Sequence, residues 1–370
     1  MSAEGLSCRA GGGRVVHLVG QLTDGVFGFL GPVTTALAQS GADQVVVLFD
    51  DAGGRHLLPR FHEAVELVFA PGGPSRLRRW WTWREVAREA LGGMPLKAVH
   101  LHGVLPCVLG TALAREARLG SSLFWSPRPA SGSRPLALTA AVLLWLLRLL
   151  APSTRWRALT NGTKEAAALA DVVPQGWLNL VESPLPAVFF EAPRNEARYP
   201  LIVTSGYGAD PRGEEAFAQA AVLLGGDELH VTFNWIGDAS EVSRPRLKAA
   251  GVDLFDVADD AERASRLASS WMYLAPDDLR SFPYGLAAGM ALGLPCVALD
   301  TVEHRELVRH GETGYLWRTE RDLMHHVAAL IDDAPLRARV GRAAREEARR
   351  SFGEHAFRDS LLHVYEMPLR

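Results

Sequence analysis

The residues best suited to chemistry lie in a few short stretches. One is RSFPYGLAAGMALGLPCVA, from Arg280 to Ala298. It reads as a strand-edge loop with Arg280, Ser281 and Phe282, then a helix opening near Tyr284 and Gly285, then a Gly-Leu-Pro turn into a new strand. A helix starting where a strand ends offers free backbone N–H groups and the positive end of its dipole, which suits an anion. No carboxylate or histidine occurs in the stretch, so it offers charge binding rather than the usual proton-transfer groups. A second stretch, Gly206-Tyr207 with Arg212-Gly213 a few residues on, carries a guanidinium in a loop after a strand. Such a group grips phosphate in a bidentate way; the plain alternative is a solvated loop arginine. A third is VHLHG, where His100 and His102 alternate along a strand and face one side. Strand histidines are more often packed structural groups, and His17 in the first strand reads as one. A further glycine-rich stretch with Gly25, Gly28 and Gly31 follows the first strand and reads as a loop facing a cleft. Neither glycine-rich stretch has the G-x-G-x-x-G spacing of a dinucleotide site, which argues against a nicotinamide oxidoreductase.

These groups need a scaffold. The 370 residues are too many for one core, so two domains are expected. The net charge of −3 argues against nucleic acid as a partner. Cys8, Cys107 and Cys296 have no metal-ligand or disulfide spacing, so neither a zinc site nor a disulfide framework is expected, and the context reads as reducing and cytoplasmic. The first residues contain no apolar core of a secretion signal. The apolar run Leu136 to Ala151 carries Arg148 and is shorter than the ~20 residues of a spanning helix, so it reads as a buried helix. Strands alternate with helical patterns throughout, which predicts parallel sheets covered by helices. The reading gives a flexible N-terminus (1–13), an α/β domain (14–190), a polar linker (191–200), a second α/β domain (201–352) and a C-terminal helix (353–370) packing back on the first domain. Two tandem Rossmann-like domains imply a cleft between them, with ligands at the carboxyl ends of the strands.

Three segments of the second half carry a more specific signal: LIVTSGYGADPRGEEAFAQAAVLL, WMYLAPDDLRSFPYGLAAGMALGLPCVALD and EHRELVRHGETGYLW. In order and spacing they resemble the nucleotide-sugar domain of the family-four retaining glycosyltransferases, which have the two-domain glycosyltransferase B fold. The first half is less similar, through VHLHG and ESPLPAVFF. The resemblance implies transfer of a sugar from a nucleotide-diphosphate donor to a glycan or lipid-linked acceptor, with retention, without a metal or other cofactor. In such a site basic side chains and amides would stabilise charge building on the leaving diphosphate.

Carried over residue by residue, Gly206-Tyr207 meets the family's Gly-Arg and Arg212-Gly213 its Lys-Gly. One cation is therefore kept at Arg212 and one lost at Tyr207. The two glutamates that the family places eight positions apart are Arg280 and Ala288 here. Phe282 is kept and the next glycine is Pro283. Glu306 matches an acid near the family's site, or is simply an acid near a helix start favoured by the dipole. His102 matches the strand-ending histidine, while Ser126 stands where many members have a further histidine. The resemblance implies His102 and Glu306 as catalytic candidates, and Gly206, Tyr207, Arg212, Arg280, Ser281, Phe282, Tyr284, Gly285 and Glu306 as donor-binding ones. With both glutamates absent, a second reading is a non-catalytic relative that binds glycan or partners an active enzyme.

Residues 75–88, SRLRRWWTWREVAR, interleave Arg76, Arg78, Arg79 and Arg84 with Trp80, Trp81 and Trp83. Basic residues with tryptophans suit a peripheral contact with the inner membrane face. The alternative is a surface helix whose tryptophans are core.

Overall fold

The computed structural model describes residues 13–72, 75–92, 95–116, 122–126, 156–160, 163–171, 173–174, 176–206, 211–225, 230–276 and 283–366. The predicted helix at 136–151 lies outside them. The chain forms two compact units, Met1–Ser183 with Phe357–Arg370, and Pro184–Ala356.

The first unit is built on a parallel sheet of β1 (Arg14–Val19), β2 (Gln44–Phe49), β3 (Val65–Ala70), β4 (Leu96–His102), β5 (Ser122–Ser126), β6 (Trp156–Thr160) and β7 (Leu178–Leu180). Their order is β3-β2-β1-β4-β5-β6-β7. β2, QVVVLF, is buried at every position, as a strand packed on both faces must be. Trp83, Ala87 and Cys107 pack in one core cluster of this unit. Phe29, Val33 and Leu37 form another with Phe357, Leu361 and Tyr365 of the C-terminal segment. That segment is tied down further: Arg157 donates to the Val364 carbonyl at 2.6 Å.

The stretch with Gly25, Gly28 and Gly31, read as a loop from its composition, is helix. Helix Asp24–Gln39 opens directly after Thr23, whose hydroxyl accepts from the Val26 amide, and runs through Pro32. Proline removes one helical N–H. The Thr34 hydroxyl donates to the Leu30 and Gly31 carbonyls at 3.0 and 2.9 Å, supporting the chain at that turn. Burial of Phe29, Leu30, Val33 and Leu37 along one face outweighs the weak helix propensity of glycine and proline.

The second unit repeats the plan. Its parallel strands β8 (Leu201–Gly206), β9 (Thr232–Gly237), β10 (Val252–Phe255), β11 (Met272–Ala275), β12 (Cys296–Leu299) and β13 (Tyr315–Trp317) lie in the order β10-β9-β8-β11-β12-β13. In both sheets the order reverses between the first and fourth strands, and such switch points are where open α/β sheets bind ligands.

The break between units precedes the expected linker. Leu185 and Phe189 are buried in the second unit's core, so residues 184–190 belong there. The polar stretch 191–200 lies along the same unit: Arg194 donates to the Ser270 carbonyl at 2.8 Å, and Glu196 accepts from Arg337 at 2.9 Å. Its charges mark an ion-paired surface segment rather than a free tether.

Candidate functional site

In the second unit the switch point joins the end of β8, the end of β11 and the start of helix Tyr284–Ala291. The approach is close. A methyl group on Gly285 would lie 2.2 Å from the Tyr273 hydroxyl oxygen and 3.2 Å from the Ser205 carbonyl oxygen. Tyr273 in turn accepts from the Ser205 amide at 3.2 Å. The tyrosine on β11 thus fixes where β8 ends, and the missing side chain of Gly285 lets the helix start approach that end. The helix itself is Ala- and Gly-rich because it is almost wholly buried. Tyr284, at its first position, is half-buried, and burial holds its hydroxyl protonated well above the ordinary range.

Next to this start, the sequence reading missed Arg263. It stands on helix Asp260–Ala268 and is buried. Its Nη1 donates to the Ser205 hydroxyl at 2.8 Å, the Gly206 carbonyl at 2.8 Å and the Ile236 carbonyl at 3.1 Å, binding the ends of β8 and β9 together. Gly237 makes room for it: its φ is +105° and a Cβ there would lie 2.4 Å from both Arg263 Nη1 and the Gly206 oxygen. The sequence signal was an arginine at i with Leu267 at i+4 on the helix's apolar face. Glu214 was missed in the same way. It is buried in helix Pro211–Leu224 and accepts from the Ser240 amide at 2.8 Å and from the Ser240 hydroxyl, anchoring the loop after β9.

Arg212 is exposed at the second position of helix Pro211–Leu224, so it is a helix-start residue rather than a loop one. It borders a shallow groove with Glu215, Ser243 and Arg246. Gly206 ends β8 beside Arg263. Tyr207, Arg280, Ser281 and Phe282 lie outside the described residues. Ala288, where the resemblance has a glutamate, is completely buried in the core. Glu306 is exposed and occupies the penultimate position of helix Val302–Leu307. The dipole therefore does not favour it; Glu303 is the acid of the first turn.

In the first unit, His102 ends β4 at the other switch point and is buried. The parallel register sets His17 of β1 directly beside His100 of β4. His17 Nδ1 is 3.4 Å from His102 Nε2. His17 Nε2 is 3.3 Å from Gln44 Oε1, and Gln44 Nε2 donates to the Thr34 carbonyl at 2.9 Å. That last bond orients the amide, so an oxygen faces His17 and its ring proton belongs on Nε2. His100 is bracketed by the Ser126 hydroxyl at 2.8 Å and the Tyr365 hydroxyl at 2.6 Å. Burial pushes the His17 pKa down to about 4, with the Gln44 bond opposing, and holds His100 well below its ordinary range.

The arginine–tryptophan segment is the helix Arg76–Leu91. Its tryptophans divide. Trp83 is fully buried and donates to the Val19 carbonyl at 2.6 Å, Trp80 lies edge-on against Phe49, and Trp81 is 65 % exposed. Arg79 pairs with Asp51 and Arg84 with Glu85. Among the described side chains, Leu77 and Trp81 are exposed one turn apart, beside exposed Arg78. Among the described residues no helix is long and apolar enough to cross a membrane.

Comparison with known proteins bears on both units. Residues 200–333 match the family described as "Glycosyl transferases group 1". The structure is similar to the Anabaena protein HepE in complex with UDP and glucose, with 15 % identity, a TM-score of 0.68, and 96 % of this chain and 100 % of that one covered. It is similar to a glycosyltransferase from Rickettsia africae, with 12 % identity, a TM-score of 0.72 and coverage of 95 % and 97 %. It is also similar to the lipopolysaccharide outer core galactosyltransferase WaaB in its apo form, with 12 % identity, a TM-score of 0.68 and coverage of 95 % and 99 %. The fold is that of the glycosyltransferase B class. No curated protein matches the chain by sequence.

Proposed function

We propose that the protein is a glycosyltransferase whose second unit binds a nucleotide-diphosphate sugar and passes the sugar to a glycan or lipid-linked acceptor with retention of configuration. The observation that carries this reading is the helix start at Tyr284, drawn against the end of β8 at the switch point within the region that matches the glycosyltransferase family. Backbone amides there and the Arg212 guanidinium supply donors and charge for a diphosphate. Neither needs a metal, and preorganised charge of this kind stabilises the leaving diphosphate as the glycosidic bond breaks. UDP bound to the Anabaena protein of the same fold supports a uridine donor. Arg280 stands where the resemblance places a donor-sugar glutamate and takes over part of the diphosphate contact. His102 and Glu306 are the candidates for contact with the sugar.

Calorimetric titration of UDP into wild type and Arg212→Ala tests the donor site. Loss of a charge-assisted phosphate bond is expected to weaken binding ~10–100-fold. Equal affinity in the two proteins removes Arg212 from the site, and no binding by wild type removes the site. Arg280→Glu, restoring the family's acid, is expected to weaken UDP binding further.

The buried methyl of Ala288 and the bond from Ser126 to His100 favour a second reading, a sugar-binding relative without turnover. Release of UDP from a UDP-sugar with acceptor present separates the two.

A further inference from the structure

We infer that His17, His100 and His102 form a binding site in the first unit for a divalent transition metal of the zinc type; it uses no residue of the second unit, and His102 then serves as a metal ligand instead of a sugar contact. One ring nitrogen of each lies within 4.8 Å of those of the other two, and all three residues are buried. The strands enforce the grouping: His100 and His102 are two apart on β4, and β1 sets His17 beside His100.

The shortest spacing is informative. His17 Nδ1 and His102 Nε2 are 3.4 Å apart. A ring N–H donating to a ring nitrogen normally brings the two atoms to ~2.9–3.0 Å. Two imidazoles on one tetrahedral zinc, with bonds of ~2.0–2.1 Å, stand about 3.3–3.4 Å apart. The observed pair therefore already has the edge length of a ligand pair, and the His100 nitrogen lies within 4.8 Å of both.

The surroundings fit as well. A metal-bound histidine generally donates its other ring N–H to an oxygen that fixes its tautomer. His17 does this through Nε2 to Gln44, whose amide is itself fixed by the Thr34 carbonyl. His100 is hydrogen-bonded on both ring nitrogens, by Ser126 and by Tyr365. The nitrogen that binds metal exchanges its hydroxyl partner for the ion, and the other keeps its own. A neutral all-nitrogen set selects zinc, cobalt, nickel or copper over magnesium or calcium. The Phe29 and Phe124 rings lie edge-on beside His100.

Three histidines in a buried site need the metal during folding, so the full chain is expressed in zinc-supplemented medium, desalted and assayed for metal by mass spectrometry. About one zinc per chain is expected, falling at least tenfold in His102→Asn and His17→Asn. Because those variants can fail to fold, wild type grown with cobalt in place of zinc gives a second measurement, in which intense visible bands of tetrahedral cobalt are expected. Wild type without zinc and without cobalt bands overturns the proposal. In that case the 3.4 Å contact is a long N–H···N hydrogen bond, and nitrogen NMR would find the His102 proton on Nε2. UDP titration of the same samples is a separate readout, so failure of the donor site and failure of the metal site are told apart.

Discussion

Replacing Gly285 with alanine sets two opposed effects against each other. In a helix, alanine is favoured over glycine by up to ~1 kcal/mol. The new methyl, however, would lie 2.2 Å from the Tyr273 oxygen, and 3.2 Å from Tyr273 Cζ and the Ser205 oxygen. Both neighbours are rigid: the ring is buried and its hydroxyl is bonded to the Ser205 amide. Overpacking of that kind costs ~1–3 kcal/mol, so the clash outweighs the propensity gain and Gly285→Ala is expected to lose ~1–2 kcal/mol. Tyr273→Phe alone gives up the hydroxyl's bonds, for ~0.5–1.5 kcal/mol. It also removes the atom at 2.2 Å and leaves the nearest at 3.2 Å. The double variant should therefore be no less stable than Gly285→Ala, a coupling of ~1 kcal/mol. The assay is urea unfolding by circular dichroism, reading the transition that UDP shifts upward. Gly285→Ala at or above wild-type stability, or strict additivity in the double variant, would refute the close approach of helix and strand.

Gly237→Ala forces a side chain into positive φ and against Arg263 Nη1. It should destabilise by more than ~2 kcal/mol and weaken UDP binding with it, as titration of the purified variant would show. Ala288→Glu, restoring the family's second acid, would bury a carboxylate in a core position without exposure; the expected outcome is poor folding with no gain in turnover, read from soluble yield and UDP release. Asp300 is bonded to Arg305 and Arg318, which hold its carboxyl well below the usual range. Its stabilisation is present above the unfolded value near 4 and is lost as pH falls further. Asp300→Asn should thus be less stable than wild type at neutral pH, with the gap closing on acidification in melting curves from pH 7 to 3. Sedimentation with anionic vesicles at low salt is expected for wild type and reduced in Leu77→Ser with Trp81→Ser, whereas Trp83→Ser should unfold the first unit instead.

Much of the second unit was legible because its strands are short apolar runs alternating with helical patterns, and because helix Asp260–Ala268 begins at an aspartate cap. The first half of helix Asp24–Gln39 was not, since three glycines and a proline read as a loop, with helix expected only from Val33; its buried face shows otherwise. β3, VELVFA, was missed because an edge strand is partly exposed and lacks the uniform apolar signal. The grouping of His17 with His102 could not be read at all. The two are far apart in the chain, and only the pairing of β1 with β4 makes them neighbours. The buried Arg263 and Glu214 look like surface charges in a sequence, and it is the strand ends they bond that give them a purpose.

The return of residues 357–366 to the first unit has a consequence for synthesis. The second unit, Pro184–Ala356, is one unbroken segment and can fold as soon as it leaves the ribosome. The first unit comes earlier in the chain, yet lacks Phe357, Leu361, Leu362 and Tyr365 from its core until residue 366 has been made. The usual N-terminal-first order of vectorial folding is thus inverted. A nascent chain paused near residue 356 would hold a finished second unit and a first unit whose Val15, Phe29 and Phe124 still await cover, the form in which chaperones would find it.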